Sequence, residues 1–142
     1  MKPAEVCFYF DADILGLGKL LAGLRSDCTY PGDPGAIVHK RARPPCIVTK
    51  ASTLDVDWLP VVAAQGWLVI TRDRHIRNRP KELAMVRDHG AKLVALASRD
   101  ALSTFSQLEV VMTRWRDLDR LVATSGPFVL SASRTALTPI PL

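Results

Sequence analysis

The sequence predicts a three-layer α/β/α fold with a mainly parallel central sheet, and two observations carry that prediction. Short runs of apolar, β-favouring residues mark strands at 6–10 and 67–71, a third strand is expected at 92–96, and stretches with helical spacing separate them. Unbroken apolar runs mark strands buried on both faces, and strands alternating with helices imply parallel pairing with helices on each side. The chain has 142 residues, 48 % hydrophobic and 23 % charged. That suits one domain with a core large enough to need neither disulfide nor structural metal. The expected division is a single domain over 1–131 and a C-terminal tail over 132–142.

Each element has its own signal. The first strand, 6–10, ends at Asp11, and Asp13 can cap a helix carrying Leu17, Leu20, Leu21 and Leu24. Gly16 and Gly18 weaken the first turn of that helix. Residues 30–45, rich in Pro, Gly and base, predict a long loop, either ordered or mobile until a partner binds, with a short strand at 46–49. Asp55 or Asp57 opens the next helix, in which Pro60 is tolerable in the first turn, and Gly66 ends it. A second buried strand, 67–71, leads to Asp73. Pro80 and Gly90 bracket a helix over 81–89, and 92–96 is the third strand. Leu102, Phe105, Leu108, Met112, Trp115, Leu118 and Val122 then predict one long helix with a single apolar stripe, packed on the sheet or on a second copy of the chain. A last edge strand is expected at 128–130, and poor order from Thr135 onward.

The net charge is +5, and nine of the 19 Lys and Arg residues fall in two short stretches. One holds Lys40, Arg41, Arg43 and Lys50; the other holds Arg72, Arg74, Arg77, Arg79 and Lys81. Only Asp73 offsets them locally, so both carry positive potential suited to an anionic partner, although such runs also serve as plain solvated surface. Cys7, Cys28 and Cys46 have no paired spacing, which suits a reducing cytoplasm rather than a disulfide framework. His39, His75 and His89 lack zinc-site spacing. No stretch has the apolar length of a signal peptide or a membrane span.

The chemistry is expected where parallel strands end, because ligands bind outside their carboxyl ends. Asp11 and Asp73 each follow a buried run there, and Asp55 and Asp57 lie at a helix start nearby in sequence. If the first two strands are neighbours, these carboxylates meet, and their repulsion calls for protons or a cation. Oxygen ligands of this kind favour a hard dication, Mg²⁺ or Mn²⁺. An Asp after a strand is also a common helix cap, so spacing alone leaves both roles open.

Phe8-Tyr9-Phe10-Asp11, Asp55-Val56-Asp57-Trp58-Leu59-Pro60 and the block from Gly66 through Thr71-Arg72-Asp73 to Arg77 resemble the PIN-like domains of VapC-type toxins. The resemblance extends through Arg79-Pro80-Lys81-Glu82-Leu83 to the strand at 92–96. It implies a Mg²⁺- or Mn²⁺-dependent endoribonuclease, the toxin of a type II toxin–antitoxin pair, neutralised by a cognate antitoxin. By the resemblance Asp11, Asp55, Asp57 and Asp73 are the catalytic acids, and Asp11 and Asp73, with Asp55 or Asp57, the metal ligands. Asp13 joins them from behind or directly, or caps the helix. A fourth acid, common in larger PIN domains, has only Asp88 and Asp100 as candidates.

Around that set, Thr71 can bond an Asp carboxylate or satisfy backbone. Arg72, Arg74, Arg77 and Arg79, with Lys40, Arg41 and Arg43, are candidates for binding RNA phosphates, for which the Arg fork is well shaped. His75 is expected to be a partly buried structural residue, and Trp58 and Trp67 core residues. The loop over 30–50 is a candidate for choosing the substrate. Two alternatives stand beside the nuclease. Asp11-Ala12-Asp13 after a strand also resembles the nucleophile pair of haloacid-dehalogenase-type phosphatases, although the late acidic pair of that family is missing. A non-catalytic domain binding RNA or protein is the other.

Overall fold

A computed structural model describes residues 1–142 apart from the side chain of Asp100. Six strands form the central sheet: β2 (Phe8–Phe10), β3 (Cys28–Thr29), β6 (Leu68–Thr71), β7 (Lys92–Ala95), β8 (Phe128–Ala132) and β9 (Leu137–Ile140). Their spatial order is β3-β2-β6-β7-β8-β9. All neighbours run parallel until β9, which returns antiparallel to β8. The helices are α1 (Leu15–Leu24), α2 (Asp55–Ala64), α3 (Pro80–His89), α4 (Thr104–Thr113) and α5 (Trp115–Val122).

Alternation along the strands explains the layering. Phe8, Phe10, Leu68 and Ile70 point to one face and pack with Leu17 and Leu21 of α1, Val110 and Val111 of α4, and Leu118 of α5. Tyr9 and Val69, one residue out of phase, point to the other face and pack with Trp58, Leu59 and Val62 of α2 and Val86 of α3. Successive side chains of a strand face opposite ways, so a strand covered on both sides must be apolar throughout. The result is the three-layer α/β/α arrangement with a mostly parallel sheet.

Gly18 has a structural use beyond helix propensity. A Cβ on it would lie 2.9 Å from Phe10 Cβ and 3.1 Å from Tyr30 Cβ, so its absence lets α1 settle onto β2. Gly90 ends α3 in the left-handed region at φ 67, where a glycine is strain-free.

Several local expectations are corrected. Residues 30–45 contain a hairpin, β4 (Ala36–Val38) and β5 (Arg41–Arg43), and β5 also pairs with β1 (Lys2–Pro3). The segment 46–49 forms no strand, but it is tied down by backbone bonds from Cys46 to Asp33 and from Gly32 to Val48. Pro60 is the sixth residue of α2, not part of its first turn, and the carbonyl four residues back loses its helical partner on an exposed stretch.

Of the four leucines expected to face the core from α1, Leu17 and Leu21 are buried and Leu20 and Leu24 are exposed. The long helix breaks at Arg114 into α4 and α5, and Leu102, Phe105 and Met112 of its presumed stripe stand in solvent. The buried face of α4 runs instead through Gln107, Val110 and Val111. β8 is not the edge, since Leu137–Ile140 adds β9 and buries Ile140. Pro139 is accommodated there because an edge strand can spare one N–H.

Candidate functional site

β2 and β6 are adjacent, with Phe10 opposite Ile70, so the chain segments leaving them emerge side by side. The Asp11 N–H bonds the Ile70 carbonyl at 2.9 Å, fixing the first acid to the end of the second strand. An open cleft of about 400 Å³ lies at this edge. Asp11, Asp13, Asp55, Asp73 and Glu82 line it, with Thr71 and Arg79 between them and Trp58, Leu59, Ile76 and Met85 as apolar walls.

Asp11, not Asp13, caps the turn that follows β2: its Oδ1 accepts from the Ala12 N–H at 2.7 Å. Asp13 reaches back to β6 and accepts from Thr71 Oγ1 at 2.8 Å and from the Arg72 N–H at 3.0 Å. Thr71 Oγ1 also lies 3.2 Å from Asp11 Oδ2, so one buried hydroxyl serves both acids. Asp55 is the first residue of α2 and accepts from Trp58 Nε1 at 2.8 Å, which aims it along the cleft wall.

Asp73 accepts the His75 N–H at 2.9 Å and pairs with Arg79, whose Nε is 2.9 Å from its Oδ2. Arg79 Nη1 also approaches Glu82 Oε1 at 3.8 Å. Glu82 had no role assigned from sequence. Its signal was an acid in the first turn of the helix that follows Asp73, a position ordinarily ascribed to helix capping.

Burial, with like charges close by, raises proton affinity here. Burial, then the charge of Asp13, pushes the Asp11 carboxyl up to about 7 against the lowering bond from Ala12. Asp13, though exposed at the rim, is raised too, because loss of hydration outweighs its bonds from Thr71 and Arg72. Glu82 is raised by burial and then by its contact with Asp73. Protons or a cation relieve such a cluster.

The carboxylates share a cleft but do not converge on one point. Among the described residues no three His, Cys, Asp or Glu side chains stand close enough to hold a metal ion as they are. They form two groups, Asp11 with Asp13 around Thr71 and Asp73 with Glu82 around Arg79. The donor chemistry nevertheless fits a hard dication: every candidate ligand is a carboxylate, and three of them carry raised proton affinity.

The other expected residues divide by position. Asp57 is exposed on α2 and is not among the residues lining the cleft. Asp88 is exposed and paired with Arg87, and the side chain of Asp100 lies outside the described residues. Arg72 does not face a substrate: its Nη1 donates to the Leu96 carbonyl and its Nη2 is buried. Arg79 is engaged by the acids, while Arg74 and Arg77 are exposed near the cleft mouth in sequence. His75 is exposed rather than partly buried. Trp58 is buried and stacked on Tyr9 at 5.1 Å, and Trp67, partly buried, stacks on the same ring.

The first basic stretch serves the far end of α1. Arg43 is buried against Asp33, with Nε 2.7 Å from Oδ2, and donates to the carbonyls of Ala22 and Arg25. His39 Nε2, in the β4–β5 turn, lies 3.1 Å from the Leu24 carbonyl. α1 starts beside the cleft and spans roughly 15 Å over its ten residues. Lys40 and Arg41 therefore sit at the opposite end, where cations complement the carbonyl end of the helix. Ala51 and Thr53, which follow that stretch, line the cleft wall.

A model of the PIN like domain family matches residues 7–98. The chain belongs to the PIN-like domain family. PIN-like domains are generally nucleases, and the acid-lined cleft of this member falls inside the matched span. Neither a curated protein nor a solved structure matches the chain. No helix among the described residues is long and apolar enough to cross a membrane.

Proposed function

We propose that this PIN-like domain is a Mg²⁺- or Mn²⁺-dependent endoribonuclease, the cytoplasmic toxin of a toxin–antitoxin pair resembling the VapC type. The observation that carries the nuclease assignment is the cleft at the ends of β2 and β6, where five carboxylates gather and Asp11 is pushed up to about 7. Asp11, Asp13 and Asp73, with Asp55 and Glu82, would hold the cation. When bound, the cation supplies a hydroxide-like nucleophile at neutral pH and stabilises charge on the phosphoryl oxygens.

The protein's own groups do the positioning. Thr71 holds the carboxylates of Asp11 and Asp13 in fixed directions, and Trp58 does the same for Asp55. The apolar wall of Leu59, Ile76 and Met85 lowers the local dielectric and strengthens each charge interaction. Arg74 and Arg77 offer guanidinium forks to the flanking backbone phosphates. Family membership, with the cation-seeking acids, favours this assignment over an aspartyl phosphatase using Asp11 as nucleophile.

The test is cleavage of structured RNAs by the wild type and Asp11→Asn, with Mg²⁺, with Mn²⁺ and with chelator. Cleavage that needs both Asp11 and the metal is the expected result. Equal cleavage by both proteins rejects the assignment and leaves a non-catalytic RNA- or protein-binding domain. Growth arrest on expression of the wild type but not of Asp11→Asn, reversed by an antitoxin encoded beside it, tests the toxin role. Light scattering of the purified chain tests the homodimer.

A further inference from the structure

We propose that Arg79 is a built-in, displaceable countercharge, whose guanidinium occupies Asp73 and Glu82 until a divalent cation takes them. The residue thereby sets how tightly the cleft binds its metal, an inference that rests on the metal-dependent function proposed above.

The geometry is that of a lodged cation. Arg79 Nε is 3.2 Å from Asp73 Oδ1 and 2.9 Å from Oδ2, so one N–H spans both oxygens of the carboxylate. Nη1 reaches toward Glu82 at 3.8 Å and links the two acids. Two carboxylates this close repel each other, and the guanidinium between them offsets that repulsion.

Mobility differs across the pair. The Arg79 side chain is 47 % exposed, against 18 % for Asp73 and 31 % for Glu82. Asp73 is also fixed by the His75 N–H, whereas among the described residues no further hydrogen bond holds the Arg79 guanidinium. The arginine can therefore swing into water while the acids stay in place. Exposed pairs of this kind are weak, and a dication offers the same carboxylates twice the charge. The Asp33–Arg43 pair shows the contrast: its side chains are 1 % and 3 % exposed, and Arg43 is anchored to two further carbonyls. That pair is a fixed brace, and the cleft pair is a latch.

The test is Mn²⁺ binding to the full chain without RNA, followed by electron paramagnetic resonance of free Mn²⁺. Arg79→Gln should bind Mn²⁺ roughly threefold to tenfold more tightly than wild type, the range set by releasing a weak ion pair and one adjacent charge. Arg79→Lys, which restores the charge, should return toward wild-type affinity, and Glu82→Gln should bind more weakly. Arg79→Met is a second neutral variant, and circular dichroism melts verify folding. If wild type binds Mn²⁺ through Asp11 but neither neutral variant binds more tightly, the latch is overturned and the metal-dependent function survives. If no variant binds Mn²⁺, both are overturned.

Discussion

Thr71 Oγ1 stands 2.8 Å from Asp13 Oδ2 and 3.2 Å from Asp11 Oδ2, so the last residue of β6 orients two acids that leave the end of β2. The hydroxyl has one proton to share, and the longer contact makes Asp11 the more weakly bonded of the two acids. Burial and the neighbouring charge of Asp13 then raise its proton affinity. Thr71 is 4 % exposed and cannot be replaced by water without opening the sheet edge.

Replacing that hydroxyl by a methyl should therefore disturb chemistry more than folding. Thr71→Val is expected to lower metal-dependent cleavage by about 10- to 100-fold, the usual cost of losing a group that orients ligands. Thr71→Ser should recover most of the activity. Initial rates at saturating metal, with melting temperatures for all three proteins, measure both effects.

Asp11 should also write a pH dependence into stability. Its carboxyl moves from an ordinary 3.8 to about 7, so across that window the folded state keeps a proton that the unfolded state has lost. Stability contributed by that proton is complete below the ordinary value and disappears as pH rises through about 7. Asp11→Asn removes the titration. The variant should melt higher than wild type near pH 8 and close to it near pH 4, where both side chains are neutral. Mn²⁺ should raise the wild-type melting temperature more near pH 8 than near pH 5, since ionised ligands bind the ion. Thermal melts across the pH range decide it.

Arg43 is predicted to matter for stability and not for RNA. Arg43→Ala strands the buried Asp33 carboxylate and the carbonyls of Ala22 and Arg25, an effect of about 3–5 kcal/mol. Lys40→Ala and Arg41→Ala, at exposed positions, should change stability by less than about 0.5 kcal/mol. Urea denaturation separates the three.

RNA affinity should track the second basic stretch. Arg74 and Arg77 are exposed and close to Asp73 in sequence, and removing both is expected to reduce the slope of log affinity against log salt by roughly 1 to 2. The pair Lys40→Ala/Arg41→Ala, at the far end of α1, should leave that slope nearly unchanged. Binding to a short RNA in Ca²⁺ at several salt concentrations provides the comparison, and equal slopes for the two double variants would contradict it.

The strands and the acids that end them were legible because they are written in consecutive residues. A doubly covered strand must be apolar along its whole length, and the acid that ends it is simply the next polar letter. Asp11, Asp73 and the layer order follow from that. The 102–122 stretch differs for the opposite reason: its apolar residues repeat at helical spacing, but α4 buries the face of Gln107, Val110 and Val111 and leaves Phe105 and Met112 in solvent, with Leu102 exposed before it. Likewise β9 and the β4–β5 hairpin depend on partners distant in sequence, which short-range patterns do not encode.

The sequence by itself determined which residue types end the buried strands, and hence that acids sit where a parallel sheet binds its ligands. Only the tertiary structure decided which charges are free to act there. Arg43 and Arg72 look like phosphate binders in a basic run, yet one is buried on Asp33 and the other donates to the Leu96 carbonyl. Glu82 looks like a helix-start acid, yet it faces Asp73 across Arg79. A charge acts through what lies within a few ångströms of it, and those neighbours come from segments that meet only when the chain folds.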